Sequence, residues 1–148
     1  MSYGIIFWGA IPSNMNSILK IQKRCLRIMT HAPRRTHCKP IFKRLQILTA
    51  PSVLIYKCVV LVKENPQLFT LISDTHSYPT RSGNQVRTEI CKLANTQRSP
   101  KHLSTILYNK LPSSIRQEGN IKLFKSKVHD LLVNGSFYTV DEYIGAQQ

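Results

Sequence analysis

The side chains best suited to chemistry in this chain are its cations, and the chemistry that they suit is contact with phosphate. The 148 residues include 21 Lys and Arg against seven Asp and Glu, which leaves a formal net charge of +14. No acidic residue precedes Glu64, whereas eleven Lys and Arg do. Most of these bases have no carboxylate to pair with, so they must face water, counterions or a polyanion. Nucleic acid is therefore the first partner to expect.

Carboxylate chemistry is poorly supported by the sequence. Polymerases, nucleases and phosphotransferases use clustered carboxylates to hold divalent metals about 4 Å apart. The acids of this chain are isolated, and only Asp141 and Glu142 are adjacent, at a helix start where the helix dipole accounts for them. The sequence has no Gly-rich phosphate loop and no nucleophile elbow. We therefore expect no catalytic residue, no cofactor and no independent enzyme activity.

The cysteines and histidines do not form a recognisable metal motif. His31, His37 and Cys38 are the nearest approach to one, but a second pair of zinc ligands is not found at any usual spacing. We expect ordinary buried or half-buried side chains there and no metal. Widely spaced cysteines without a secretory leader are typical of reduced thiols in an intracellular protein, nuclear or cytoplasmic. The four are Cys25, Cys38, Cys58 and Cys91.

The length and the hydrophobic periodicity predict a mainly α-helical fold. At 148 residues and 42% hydrophobic content, the chain suits one small domain, residues 1–148. We expect about five to seven helices and one long irregular loop. The predicted parts are a basic helical part at 13–72, the loop at about 73–98 and the C-terminal helices at 99–145. The apolar run at 53–62 is interrupted by Lys57 and is too short to span a membrane.

The clearest helix is predicted over about residues 13–30, with Ser13 as its N-cap. Residues at three- and four-residue steps form a core-facing stripe, and four cations form a second stripe on the opposite face. A charged helix face is usually solvated, but this one holds no acid to pair with its bases, so we interpret it as exposed and in contact with phosphates. A merely solvated face is the alternative. The core-facing residues are Met15, Ile18, Leu19, Gln22, Cys25, Leu26 and Met29; the cations are Lys20, Lys23, Arg24 and Arg27.

The rest of the basic part contains a turn and two further helices. Arg34 and Arg35 follow Pro33 in a basic turn, and Pro40 suits the first turn of a short helix. Residues 52–63 are apolar almost all round and predict a core helix, although three valines leave a strand possible. A short turn of helix is predicted at 68–72. The short helix is expected to point Ile41, Phe42, Leu45 and Leu48 inward.

The predicted loop and the C-terminal helices have clear local signals. Within the loop, Tyr78 and Arg81 combine an aromatic face with a cation, which suits stacking on bases, while a Tyr78 packed on the core is the alternative. Ser99 with Pro100 starts one helix, which buries Leu103, Ile106 and Leu107, and Asn120 caps the next, which Gly135 stops. Its apolar stripe is Ile121, Phe124, Val128, Leu131 and Leu132. Thr139 and Glu142 have the spacing of a capping box.

Several segments in order resemble the C-terminal part of reverse transcriptases from jockey-like non-LTR retrotransposons of animals. Each motif is short, but their order and spacing extend over nearly the whole chain. They are Tyr3-Gly4-Ile5 with Trp8-Gly9, Ile21-Gln22-Lys23-Arg24 with Arg27-Ile28, 45–48, His76-Ser77-Tyr78-Pro79-Thr80-Arg81, Tyr108-Asn109-Lys110-Leu111-Pro112, Phe124-Lys125, and Phe137-Tyr138-Thr139-Val140-Asp141-Glu142-Tyr143.

The resemblance implies a segment that follows the fingers and palm of an RNA-directed DNA polymerase, in or beyond the thumb. The family's Tyr-Ala-Asp-Asp metal-binding motif and its endonuclease have no counterpart here, so the resemblance implies a truncated or fragmentary product without catalytic residues. The partners to expect are the RNA or DNA backbone and the upstream polymerase domain. The candidate nucleic-acid-binding residues are Lys20, Lys23, Arg24, Arg27, Arg34, Arg35 and Arg81.

Two other functions remain open at this stage. A helical interaction or structural module, without nucleic-acid binding, is favoured by Ile5, Phe7 and Trp8, which we expect to form an exposed apolar patch where upstream sequence would join. A peripheral membrane binder is favoured by the basic helix, but that helix lacks aromatic anchors.

Overall fold

A computed structural model of the chain describes residues 4–73 and 85–146, apart from the side chains of residues 94 and 95. Within these ranges the prediction of a mainly α-helical fold is confirmed. The helical segments outnumber the predicted five to seven because three of them are only four residues long. They are α1 (Ile5–Trp8), α2 (Pro12–Met29), α3 (Lys39–Arg44), α4 (Ala50–Glu64), α5 (Ala94–Gln97), α6 (Pro100–Asn109), α7 (Ser113–Arg116), α8 (Ile121–Gly135) and α9 (Val140–Ala146), with a 3-10 turn at Pro66–Leu68.

Helix α4 forms the centre of the fold. It contacts α1, α2, α6, α8 and α9, so nine of its fifteen residues are buried, whereas Lys57 and Glu64 are exposed. The Thr49 hydroxyl caps it by accepting a hydrogen bond from the Ser52 N–H at 3.2 Å, and Pro51 occupies its first turn. The prediction of a core helix at 52–63 is thus confirmed, with a start two residues earlier. The strand alternative is wrong.

Helix α2 begins one residue before the predicted N-cap. Pro12 takes the first helical position, where its fixed φ fits and its missing N–H costs nothing. Ile11 is the capping residue and has no side-chain hydrogen bond to the helix. The prediction that Ser13 caps the helix is therefore wrong, because the proline defines the start.

A small second core lies between α2 and α3. It joins Leu19 and Leu26 to Cys38, Ile41 and Phe42. The predicted core-facing stripe is confirmed for Met15, Leu19 and Leu26, and Ile18 and Gln22 are half-buried. It is wrong for Cys25 and Met29, which are exposed. Leu45, the next position on the inward face of α3, is also exposed, because the helix ends at Arg44. Leu48 is half-buried.

Residues 135–143 fold back over the centre of the molecule. Gly135 is the last residue of α8, and Ser136, with φ of 45°, makes the left-handed turn that the sequence assigned to the glycine. A Cβ on Gly135 would lie 2.2 Å from the Phe137 ring, so the glycine is required for space. The predicted capping box is confirmed, because the Glu142 N–H donates to the Thr139 hydroxyl at 3.0 Å. Tyr143 is fully buried, and its hydroxyl donates to the Leu107 carbonyl at 3.3 Å.

The described end of the predicted loop packs on the helices. Leu71 and Val86 form an isolated antiparallel bridge, so the predicted helical turn at 68–72 is wrong; the 3-10 turn ends at Leu68. The Asn109 amide holds Val86 at both backbone groups: its Oδ1 accepts from the Val86 N–H at 2.8 Å, and its Nδ2 donates to the Val86 carbonyl at 2.7 Å. Residues 85–93 are irregular, whereas 94–97 are helical.

The start of the described chain is less exposed than expected. Ile5 is only 1% exposed because α1 packs on α4, and Trp8 is half-buried. Phe7 alone is open to solvent, at 71%. The predicted apolar patch of Ile5, Phe7 and Trp8 is therefore wrong for Ile5. Among the described residues, no helix is both long and apolar enough to cross a membrane.

Candidate nucleic-acid interface

The four cations of α2 divide into two exposed and two half-buried side chains. Lys20 and Arg24 lie one turn apart and are exposed. Lys23 and Arg27 are half-buried, at the edge of the face that packs on the second core. The prediction of one exposed stripe is therefore wrong for Lys23 and Arg27, because their positions are adjacent to the buried face as the helix turns.

Lys23 packs against an aromatic ring from the other end of the chain. Its Nζ lies 3.4 Å from the centroid of the Tyr138 ring, a cation–π geometry. Burial lowers the pKa of Lys23, and the nearby charges of Arg27 and Lys39 act in the same direction. The Lys23 ammonium is thus held by the fold and is less available to a ligand than a free surface lysine.

Arg27 closes the connection that follows α2. Its Nε and Nη2 donate to the Thr36 carbonyl at 3.1 and 3.0 Å. His31 adopts φ of 51°, which reverses the chain after the helix, and the Ala32 N–H returns to the Arg27 carbonyl at 2.9 Å. These contacts attach the turn at 33–36 to the last turn of α2.

That turn presents Arg34 and Arg35 to solvent. We use the term basic surface for four exposed residues, Lys20, Arg24, Arg34 and Arg35. None of them forms an ion pair within the ranges that the structure describes. Arg81 and Tyr78, the predicted loop contacts, lie outside the described residues.

The fold brings one acid to the edge of this region, which the sequence did not indicate. Glu142 of α9 forms an ion pair with Lys39 and also accepts a hydrogen bond from the Tyr138 N–H at 2.7 Å. Burial alone would raise the pKa of Glu142, but these two hydrogen bonds more than offset it and lower the pKa below its ordinary value. The carboxylate therefore stays ionised and neutralises Lys39, next to Lys23.

Other lysines in the molecule have carboxylate partners. Lys125 pairs with Glu64 at 2.5 Å, Lys127 with Glu118 at 2.6 Å, and Lys101 with Glu89 at 3.4 Å. The hydrogen bond to Glu64 raises the pKa of Lys125, and the hydrogen bond from Lys127 lowers the pKa of Glu118. These three lysines therefore differ from the four residues of the basic surface, which have no such partner in the described structure.

Helix α2 also has an exposed apolar side next to its cations. Ile21, Ile28 and Met29 are 60%, 66% and 67% exposed, and Cys25 lies among them. Their spacing places them along one line of the helix, beside Arg24. The exposed surface of α2 is therefore partly basic and partly apolar, which the predicted two-stripe pattern did not anticipate.

The described residues do not bring together three or more His, Cys, Asp or Glu side chains that could hold a metal ion. Comparisons of the chain with protein-family models, with curated proteins and with solved structures find no match. The resemblance to retrotransposon reverse transcriptases therefore stays a prediction from sequence motifs.

Proposed function

We propose that this chain binds RNA or DNA through backbone phosphates at its basic surface and has no catalytic role of its own. The observation that supports the proposal is the surroundings of Lys20, Arg24, Arg34 and Arg35. All four are exposed, none has a carboxylate partner in the described structure, and the turn that carries Arg34 and Arg35 is hydrogen-bonded to the helix that carries Lys20 and Arg24. Cations of this kind bind phosphates by releasing counterions, with little dependence on base sequence.

The positions of the four residues in the chain favour a nucleic-acid backbone, with many phosphates, over a single small anion. They lie on separate pieces of backbone, a helix and a turn, which the Arg27 hydrogen bonds to Thr36 hold in a fixed relation. A chain of phosphates can contact the helix and the turn at the same time.

The test replaces Lys20, Arg24, Arg34 and Arg35 by Gln in one variant. Each lost phosphate contact lowers the slope of log affinity against log salt by roughly 0.7 to 0.9, so we expect a slope lower by about 3 and weaker binding to RNA and DNA alike. Fluorescence anisotropy across a salt series measures both quantities.

A matched control variant replaces four other exposed cations by Gln and so loses the same net charge. Lys57, Lys92, Arg98 and Lys122 serve, because all four are exposed and lie outside the basic surface. We expect this control to retain most of the affinity and of the slope. Equal loss in the two variants, or no loss in the first, would overturn the proposal of a localised interface.

We further propose that the chain derives from the post-palm part of a jockey-like reverse transcriptase. The support is the ordered set of sequence motifs. On this reading no polymerase or nuclease activity is expected with Mg²⁺ or Mn²⁺, because paired carboxylates are missing from the sequence. Primer extension that survives repurification would contradict it.

A protein-interaction module is the second candidate, and the surface around Phe7 favours it. The exposed Phe7 ring adjoins a cavity of about 660 Å³ lined in part by Tyr56, Val60 and Leu61 of α4. A purified polymerase domain of a jockey-like element is the probe. This candidate predicts binding that Phe7→Ser abolishes, with RNA affinity unchanged; failure of the polymerase domain to bind would reject it.

A further inference from the structure

A thiol and an imidazole meet beside the start of α6. Cys91 Sγ lies 3.6 Å from His102 Nδ1, and both residues are half-buried. A neutral imidazole nitrogen can accept a proton from a thiol at this distance. Cys91 and His102 are eleven positions apart, with no local motif, so the sequence does not indicate the pair.

Separate backbone contacts hold the two residues in place. The Ser99 hydroxyl caps α6 by accepting a hydrogen bond from the His102 N–H at 3.3 Å. On the other side, the Gln97 amide donates to the Cys91 carbonyl at 2.9 Å. Each partner is therefore positioned by its own neighbours as well as by the Sγ–Nδ1 contact.

The surroundings of the pair favour a negatively charged reagent. A small cavity of about 40 Å³ adjoins it, lined by Arg87, Glu89 and Lys101 as well as by the pair. Lys101 is paired with Glu89 at 3.4 Å, whereas Arg87 has no ion pair in the described ranges. One cation therefore remains beside the thiol, in a partly exposed position of the kind found at reactive cysteines.

We propose that Cys91, with His102 as its proton acceptor, is a site of thiol–disulfide exchange with small anionic disulfides. Cys91 Sγ attacks one sulfur of the disulfide, and a new S–S bond forms as the old one breaks. The thiol proton passes to His102 Nδ1, and the departing thiolate keeps the electron pair of the broken bond. The products are a mixed disulfide on Cys91, one free thiolate and a protonated His102, so the disulfide itself is the oxidant.

The chain contains its own comparison thiols. Cys25 is exposed on α2 beside Arg24, so it has solvent access and a cationic neighbour, but it has no imidazole contact in the described structure. Cys38 and Cys58 are buried. The proposal therefore predicts one fast thiol, Cys91, one slower thiol, Cys25, and two that react only on unfolding.

The experiment follows thiolate release from dithionitrobenzoate, a dianionic disulfide, in the intact chain and three variants. We expect the fast phase to remain in Cys25→Ser, to disappear in Cys91→Ser, and to slow at least about tenfold in His102→Gln, since a positioned general base contributes roughly 100-fold or more in enzymes. In a fourth variant, Arg87→Gln, the rate with this dianion should fall more than the rate with the neutral dithiodipyridine.

Two results would overturn the proposal. One is a fast phase that survives in Cys91→Ser, and the other is an unchanged rate in a folded His102→Gln variant. If His102→Gln unfolds, the buried Cys38 and Cys58 will also react and reveal the unfolding. The loss of the fast phase in Cys91→Ser, and its retention in Cys25→Ser, then test the proposal without that variant. Equal slowing of the anionic and the neutral reagent in Arg87→Gln would reject the role of the cavity cation.

Discussion

The basic surface and the C-terminal lysines contain the same kinds of side chain in opposite surroundings. Lys101, Lys125 and Lys127 each have a carboxylate within ion-pair distance. The exposed cations of α2 and of the turn after it have none in the described part of the chain. Surface ion pairs contribute little stability, so the difference matters chiefly for the charge left available to a ligand. Net charge alone, spread over the whole sequence, does not locate that charge.

The comparison also applies within a single helix. Lys23 and Arg27 are held by the Tyr138 ring and by the Thr36 carbonyl, whereas Lys20 and Arg24 extend into solvent. Two of the four cations on α2 therefore support the fold, and two are free for a partner. Three measurements can separate these roles.

The largest effect is expected at Tyr138. Replacing Tyr138 by Ala removes the ring that contacts Lys23 and packs edge-on against Phe42, and we expect a loss of about 2 to 3 kcal/mol in the free energy of unfolding. Tyr138→Phe is the control: the ring stays, and the hydroxyl is buried without a hydrogen-bond partner in the described structure, so stability should hardly change. Urea unfolding measures both, and an equal loss in the two variants would contradict this account.

A smaller effect is expected from the two pairs of cations on α2. Lys23→Gln with Arg27→Gln should lower the free energy of unfolding by about 1 to 2 kcal/mol, since a cation–π contact and two charge-assisted hydrogen bonds are lost. Lys20→Gln with Arg24→Gln should change it by less than about 0.5 kcal/mol and should instead weaken nucleic-acid binding. Comparable stability losses in both double variants would remove the distinction between them.

The smallest effect is a pH dependence at Glu142. Its pKa is lowered in the folded protein, so its contribution is present above the unfolded pKa and is lost as pH falls through the folded value. The free energy of unfolding of the intact chain should exceed that of Glu142→Gln by about 1 kcal/mol near neutral pH, and this difference should close as the pH falls below the ordinary glutamate pKa. Asp141→Asn, a change at the exposed neighbour, is the control. A gap that does not vary with pH would show that Glu142 acts without its charge.

Local chemistry explains why part of the fold was predictable. Ser99, Asn120 and Thr139 cap the helices that the sequence assigned to them, because a cap depends on residues within one turn. The apolar composition of α4 likewise predicted a core helix. Fold class and long helices therefore follow from patterns of short range.

The errors arise where distant residues decide the outcome. Lys23 looked free because the ring that holds it, Tyr138, lies at the other end of the chain. Gly135 looked like a conformational stop, but it makes room for Phe137, and Ser136 makes the turn. The same limit applies to the candidate site: exposed Lys20 and Arg24 were predicted, whereas the neutralising Glu142 required the tertiary structure.

The return of residues 137–143 to the centre of the molecule has a consequence for protein synthesis. Thr49 donates to the Phe137 carbonyl, Lys39 pairs with Glu142, and Tyr143 fills the core, so the first half of the chain stays incomplete until the ribosome has added about 80 residues after α4. At typical elongation rates this takes roughly 4 to 16 s. During that interval α4 packs on α1 and α2, which precede it, but its contacts with α6, α8 and α9 form only as those helices are added, so part of its apolar surface stays uncovered.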